Sequence, residues 1–229
     1  MQPGAAVENK TTTRRTRKSE TARIADILDE LDRLYPDAHC ELVYKSPFEL
    51  LIAVILSAQC TDDRVNMITP TLFARFPDPA ALAQADLEEL EKIIYSTGFY
   101  RNKAKNIKAC AKKLVEKFGG KVPQSMPDLL SLPGVARKTA NVVLATCFNI
   151  PSGVIVDTHV IRLSGRIGLS QASKPEDIER DLMRLVPQDQ WTFFGPALIL
   201  LGRYVCTAKK PDCPNCVMQD ICPKIGVAR

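Results

Sequence analysis

Four cysteines close the chain as Cys206-x6-Cys213-x2-Cys216-x5-Cys222, and spacers this short let every thiol converge on one point. A segment tied in this way folds around something, and four sulfur donors suit a soft metal centre. Structural zinc usually takes two close pairs separated by a longer finger. Here only Cys213 and Cys216 form such a pair, so the spacing favours an iron–sulfur cluster over zinc, which stays open as the alternative. Disulfides would need an oxidising compartment, for which no apolar signal segment is evident. The other four cysteines, Cys40, Cys60, Cys110 and Cys147, stand singly and read as small core residues inside apolar helical patterns.

The rest of the chain carries helical spacing almost throughout. Ile24, Ile27, Leu28, Leu31 and Leu34 make one apolar stripe, and Ser46-Pro47-Phe48-Glu49 is a capping box, with proline at the first helical position, ahead of Leu50 to Gln59. Asp86-Leu87-Glu88-Glu89 repeats the capping signature, and a helix from Lys103 to Phe118 should stop at Gly119-Gly120. Val154 to Val156 is β-branched but short, and is expected to be a connector. The expected fold class is all-α, with helices joined by brief turns marked by Pro, Gly or Asp.

With 229 residues, 45% of them hydrophobic, the chain can bury one large core or two smaller ones. Its longest apolar run, Leu50 to Ala58, is far short of the roughly 20 residues of a membrane-spanning helix, so no membrane anchor is expected. The net charge of +5 is uneven: Met1 to Arg23 holds six basic residues against Glu8 and Glu20, which leaves the body nearly neutral. Residues 1–19 are expected to be a disordered basic arm that attracts phosphates without specificity.

Leu132-Pro133-Gly134-Val135-Ala136-Arg137-Lys138-Thr139-Ala140 lies between two helical patterns. Pro133-Gly134 gives a tight turn, Leu132 and Val135 can pack inward, and the following helix opens with N–H groups that lack intrahelical partners. Such donors, at the positive end of a helix, suit a phosphate. On physics alone, a helix pair with this turn is more often mere packing.

This hairpin with Lys138, the segments Leu56-Ser57-Ala58-Gln59 and Val156-Asp157-Thr158-His159, and the four-cysteine tail resemble, in order and spacing, the endonuclease III family. These are bifunctional DNA glycosylases of the helix-hairpin-helix superfamily with a four-iron four-sulfur (4Fe-4S) cluster. The similarity spans about Ile24 to Cys222. It implies a helix-hairpin-helix protein with two helical domains flanking a DNA-binding cleft. Residues 41–150 would form a six-helix barrel domain, and residues 20–40 plus 151–229 a second domain stapled by a C-terminal iron–sulfur cluster loop.

The resemblance also implies roles. Lys138 would be the nucleophile, because a neutral amine can attack the sugar C1′, displace the base and form a Schiff base that permits β-elimination. Burial, the following helix and Arg137 are expected to favour its neutral form. Asp157 would stabilise the positive charge that develops on the sugar, and it is also a plausible helix N-cap. His159 is as suited to structural hydrogen bonding as to a site role. Cys206, Cys213, Cys216 and Cys222 would hold the 4Fe-4S cluster. Gln59 would enter the space left by an extruded nucleotide, with Phe99 as a second, apolar wedge; core packing is the bland alternative for Phe99. Phosphate contacts are expected from the amides around Pro133, Gly134 and Val135, and from Arg137, Arg101, Lys103, Lys105, Lys209 and Lys210.

Two positions depart from the family pattern. Ala136 stands where glycine is usual in the hairpin, and Met67 where a basic residue is common. The expected partner is double-stranded DNA with a damaged base or abasic site, bound by a monomer. The expected location is the cytoplasm, nucleoid-associated in a prokaryote, or an organelle or nucleus in a eukaryote. A lysine at position 138 argues against the adenine-mismatch branch of the superfamily. A non-catalytic DNA-binding protein and an iron–sulfur electron carrier are the rivals from other classes.

Overall fold

A computed structural model describes residues 19–227, so the expected basic arm lies outside the described residues except for its last member. That residue, Ser19, is not part of an arm. Its side chain accepts a hydrogen bond from the Ala22 N–H and caps the first helix.

Eleven α-helices and no strands make up the described residues. In order they are α1 (Glu20–Leu34), α2 (Pro47–Leu56), α3 (Asp62–Arg75), α4 (Pro79–Ala83), α5 (Leu87–Ile94), α6 (Tyr100–Phe118), α7 (Met126–Leu130), α8 (Arg137–Phe148), α9 (Thr158–Ile167), α10 (Pro175–Leu185) and α11 (Trp191–Tyr204). Short polar residues set many of the starts: Ser46, Thr61, Asp78, Asp86, Ser125 and Asp157 each accept a backbone N–H of the first turn they precede. Gly119, in the left-handed region, ends α6, and the Gly120 N–H closes back on the Leu114 carbonyl at 2.9 Å.

Buried side chains fall into two clusters. One runs from Leu42 to Leu144, with Ile155 added, and includes nearly all of α2, the inner face of α6 and the middle of α8. The other joins α1 to α9, α10 and α11 and to Met218 in the cysteine segment. Between them passes Val154-Ile155-Val156, an extended connector as its sequence predicts. Alternation along it sends Ile155 into the first cluster and Val154 and Val156 into the second. Gly195 of α11 sits on this connector so closely that a Cβ would lie 3.0 Å from the Ile155 backbone N and O, which fixes the spacing of the two halves.

Two expectations about element ends are corrected. The helix expected to reach Gln59 stops at Leu56, where the Ser57 hydroxyl turns back to the Val54 carbonyl at 3.0 Å and Gln59 adopts φ 55°. Cys40 and Cys60 lie in irregular segments; only Cys110 and Cys147 are helical.

Candidate active site

Between the two buried clusters lies a cleft of about 790 Å³, and the starts of four helices, α3, α8, α9 and α10, open onto it. Converging helix starts bring positive partial charge and unpaired N–H groups to one place, the setting for an anion. At α3 and α9 those groups are partly satisfied, by Thr61 on Arg64 N–H and by Asp157 on the N–H groups of His159 (2.8 Å) and Val160 (3.0 Å). At α8 no side chain caps the first turn, because the N-cap position is Ala136.

The hairpin before α8 forms as its sequence predicts. Gly134 has φ +79°, in the left-handed region, and a Cβ there would meet Asn106 Cβ at 3.0 Å and Ile55 Cγ2 at 3.4 Å, so the turn is seated against both α6 and α2. Leu132 and Val135 are buried beneath it. The turn itself uses the Val135 N–H, which donates to the Leu132 carbonyl at 3.2 Å, Pro133 has none, and the first turn of α8 has no capping side chain. Ala136, where the family usually has glycine, is extended (φ −96°, ψ 171°), a conformation that alanine adopts without strain.

Lys138, the second residue of α8, and Asp157, the N-cap of α9, line this same cleft, as do Gln59 and His159. The burial expected of Lys138 is absent: it is exposed while the next residues of the same turn, Thr139 and Ala140, are buried, so Lys138 falls on the outward phase of α8. Asp62, at the start of α3, reports on the shared field. Burial raises its pKa, with Asp157 and Asp63 adding to the rise and Lys138 opposing it. Asp62 also accepts from Arg203 at 2.7 Å, and Arg203 pairs as well with Glu41.

Arg137 is anchored at one nitrogen and keeps a side chain 41% exposed on the cleft. Its Nε donates to Glu179 at 2.5 Å, and Glu179, 4% exposed on α10, also accepts from Asn141 Nδ2 at 2.8 Å. Ser152 donates to Asn141 Oδ1 at 2.8 Å, which closes a polar chain joining α8 to α10. Gly153 leaves room for it, since a Cβ would lie 2.0 Å from Glu179 Oε1. Sequence reasoning missed Asp62, Arg203, Glu179 and Asn141, because each acquires its partner through contacts more than 30 positions away.

Phe99 is 66% exposed, which removes the core-packing alternative, and it stands at φ 48° just after Gly98. Arg101 and Lys105 are exposed, and Arg101 lies 5.3 Å over the Tyr100 ring. Lys209 and Lys210 are exposed in the loop after Cys206, and Met67 is exposed on α3. Lys103 corrects an expectation: it is 5% exposed and cannot touch a phosphate backbone.

Cys206, Cys213, Cys216 and Cys222 line one pocket floored by Leu163, Leu201 and Met218, although no three of them, among the described residues, already close into a coordination shell. Their surroundings fit an anionic sulfur centre. Arg166 Nη1 donates to Cys206 Sγ at 3.3 Å and to the Thr207 carbonyl at 2.8 Å, and the Lys224 N–H approaches Cys222 Sγ at 3.3 Å. Burial first, then the neighbouring thiols, pushes Cys216 and Cys222 upward, so four thiolates need a bound cation to coexist here. Arg162, on the same helix as Arg166, donates to the carbonyls of Gly202 and Cys206, tying the loop to the helix that Asp157 caps.

Comparison with known proteins agrees with this geometry. Residues 52–188 match the HhH-GPD superfamily of base excision DNA repair proteins, and residues 206–222 match the iron–sulfur binding domain of endonuclease III. The chain is 57% identical over 205 residues to endonuclease III of Synechocystis, covering 90% of this chain and 94% of that one. To the Bacillus subtilis endonuclease III it is 46% identical over 196 residues, covering 85% and 89%. Among solved structures, a trapped endonuclease III–DNA covalent intermediate superposes with a TM-score of 0.85 at 45% identity, over 89% of this chain and 96% of that one.

Proposed function

Because the chain belongs to the endonuclease III family of iron–sulfur base excision repair proteins, and is with that family a DNA glycosylase and abasic-site lyase, we propose that it removes oxidised pyrimidines from duplex DNA through a Schiff base on Lys138 and nicks 3′ to the abasic site. The observation that carries the reading is that Lys138 and Asp157, set on different helices, line one cleft at which four helix starts converge.

The chemistry follows from these positions. Lys138 Nζ, in its neutral form, attacks C1′ of the extruded nucleotide; the new C–N bond forms as the glycosidic bond breaks and its electron pair leaves with the base. Positive charge develops on the sugar meanwhile, and the Asp157 carboxylate opposes it across the cleft. Ring opening gives the imine, loss of a C2′ proton follows, and the C3′–O bond breaks with the phosphate as leaving group. Since Lys138 is exposed in the free protein, the dry setting this chemistry favours is completed when DNA covers the cleft mouth.

Extrusion requires wedges, and Gln59 and Phe99 fill that role, with an amide to meet the orphaned base and a ring to part the stack. The first-turn N–H groups of α8 hold a phosphate, with Arg101, Lys105, Lys209 and Lys210 adding charge outside the cleft. Cys206, Cys213, Cys216 and Cys222 hold the 4Fe-4S cluster, which when bound supplies a structural staple that seats the basic loop bearing Lys209 and Lys210. The chain acts as a monomer with a barrel domain (41–150) and a cluster domain (20–40 plus 151–229), in the compartment that holds the DNA. Borohydride treatment on abasic duplex DNA tests the reading. It should trap a covalent adduct with the wild type and none with Lys138→Gln; a variant that still traps would overturn it.

A further inference from the structure

Lys103 sits where a cation has no obvious reason to be. It belongs to the buried face of α6 with Ala104, Ile107, Cys110 and Leu114 and is 5% exposed, away from the cleft and from any phosphate path. Its Nζ donates to the Leu56 carbonyl at 2.7 Å and to the Thr97 carbonyl at 2.8 Å. Leu56 is the last residue of α2 and Thr97 closes the short 3-10 turn after α5, so both acceptors are carbonyls at helix C-termini, where a cation is favoured. Two and three residues beyond these carbonyls stand Phe99 and Gln59. The Lys103 backbone N–H adds a third tie, to the Phe99 carbonyl at 3.1 Å.

Both turns are strained. Gln59 has φ 55° and Phe99 φ 48°, and Gly98 between Thr97 and Phe99 combines φ 70° with ψ 153°, a region open only to glycine. Strained turns persist where their surroundings over-determine them, and an ammonium bonded to both does so. An apolar side chain of the same length would seal the space with no charge to desolvate, so burying a lysine here makes sense as geometry rather than as stabilisation. We infer that Lys103 is a positioning residue that braces the Gln59 and Phe99 turns at a fixed separation, so that both wedges enter the helix stack together. The inference rests on the reading of those two residues as wedges. Burial lowers the Lys103 pKa, the Cys60 thiol opposing the shift, and the two carbonyl hydrogen bonds stand in for the lost solvent.

The test uses the full cluster-loaded protein and a duplex carrying a tetrahydrofuran abasic analogue opposite 2-aminopurine, whose fluorescence rises when the wedges unstack it. Lys103→Met should cut that rise by about fivefold and slow borohydride trapping on abasic duplex by about tenfold, with affinity for undamaged duplex within roughly twofold of wild type. Combined with Phe99→Ala, its loss should fall short of the product of the two single losses by about fivefold, since both act on one wedge; a merely structural lysine would give the full product. An unchanged rise in Lys103→Met, or multiplicative losses, overturns the brace. Should Lys103→Met fail to fold, Lys103→Arg carries the test, because a planar fork cannot sit as an ammonium does. A fall of roughly threefold or more in its aminopurine rise then supports the brace, and anything less overturns it. A wild type that itself gives no rise overturns the wedge reading and the brace together, whereas a normal wild type beside a normal variant overturns the brace alone.

Discussion

Asp157 carries two duties that substitution can separate. Its Oδ1 caps α9 through the N–H groups of His159 and Val160, at 2.8 and 3.0 Å, while its charge faces the cleft that holds Lys138. Asparagine caps a helix about as well as aspartate, so Asp157→Asn keeps both bonds and gives up only the charge-to-helix term of about 0.3–1 kcal/mol. Part of that loss is offset because Asp157 and Asp62 repel one another. Alanine loses the cap as well, about 1 kcal/mol more, which for a chain of this size lowers Tm by a further 2–4 °C or so. The rate should behave differently. If the carboxylate opposes the charge of the departing step, both variants slow single-turnover excision by roughly 10²–10⁴-fold, whatever their stability. Melting curves and single-turnover rates on one lesion duplex, measured for wild type, Asp157→Asn and Asp157→Ala, give the comparison. An asparagine variant that keeps its rate within about tenfold of wild type would refute the electrostatic role, and one that melts as low as the alanine variant would refute the cap.

Two further outcomes follow from burial and backbone geometry. Gly134→Ala forces a Cβ into the left-handed region against Asn106, so stability should drop by about 2 kcal/mol and affinity for undamaged duplex by about tenfold; normal melting and binding would mean that the hairpin is not seated as described. Burial pushes the Cys110 thiol from its ordinary 9.0 up to about 12, so the unfolded chain releases this proton first and the thiol's contribution, complete below pH 9, drains away as pH climbs towards 12. By pH 10.5 wild type should have lost about 2 kcal/mol more than Cys110→Ala relative to pH 8, measured by urea unfolding; parallel curves would show that the site is open to water.

What the chain discloses in advance is what depends on neighbours in sequence. Ser46, Asp86 and Asp157 cap helices because each needs only an N–H two or three residues ahead, and Pro133-Gly134 turns because glycine alone sits easily at φ +79°. The cysteine segment is legible for the same reason. The place of Lys138 at the start of α8 is legible in the sequence, whereas its exposure is not, since exposure depends on which phase of α8 its neighbours cover.

Lys103 shows where local reasoning fails and what signal remains. In composition it is one of three basic residues, with Arg101 and Lys105, at the start of a charged helix. Only phase distinguishes it, because Lys103 falls in step with Ile107, Cys110 and Leu114, and the other two do not. A cation in register with an apolar stripe must find acceptors inside the protein, so the pattern announces a buried partner without saying which. The identity of that partner, the buried C-terminal carbonyl of α2 some 47 residues earlier, is set by helix packing alone. Glu179 repeats the lesson: in step with Ile178 and Leu182 on α10, it meets Arg137 and Asn141 of α8 across the boundary between the two cores. Both residues tie together segments far apart in sequence. Charged residues on the apolar phase of a helix are therefore where the sequence of a protein like this marks its mechanical joints.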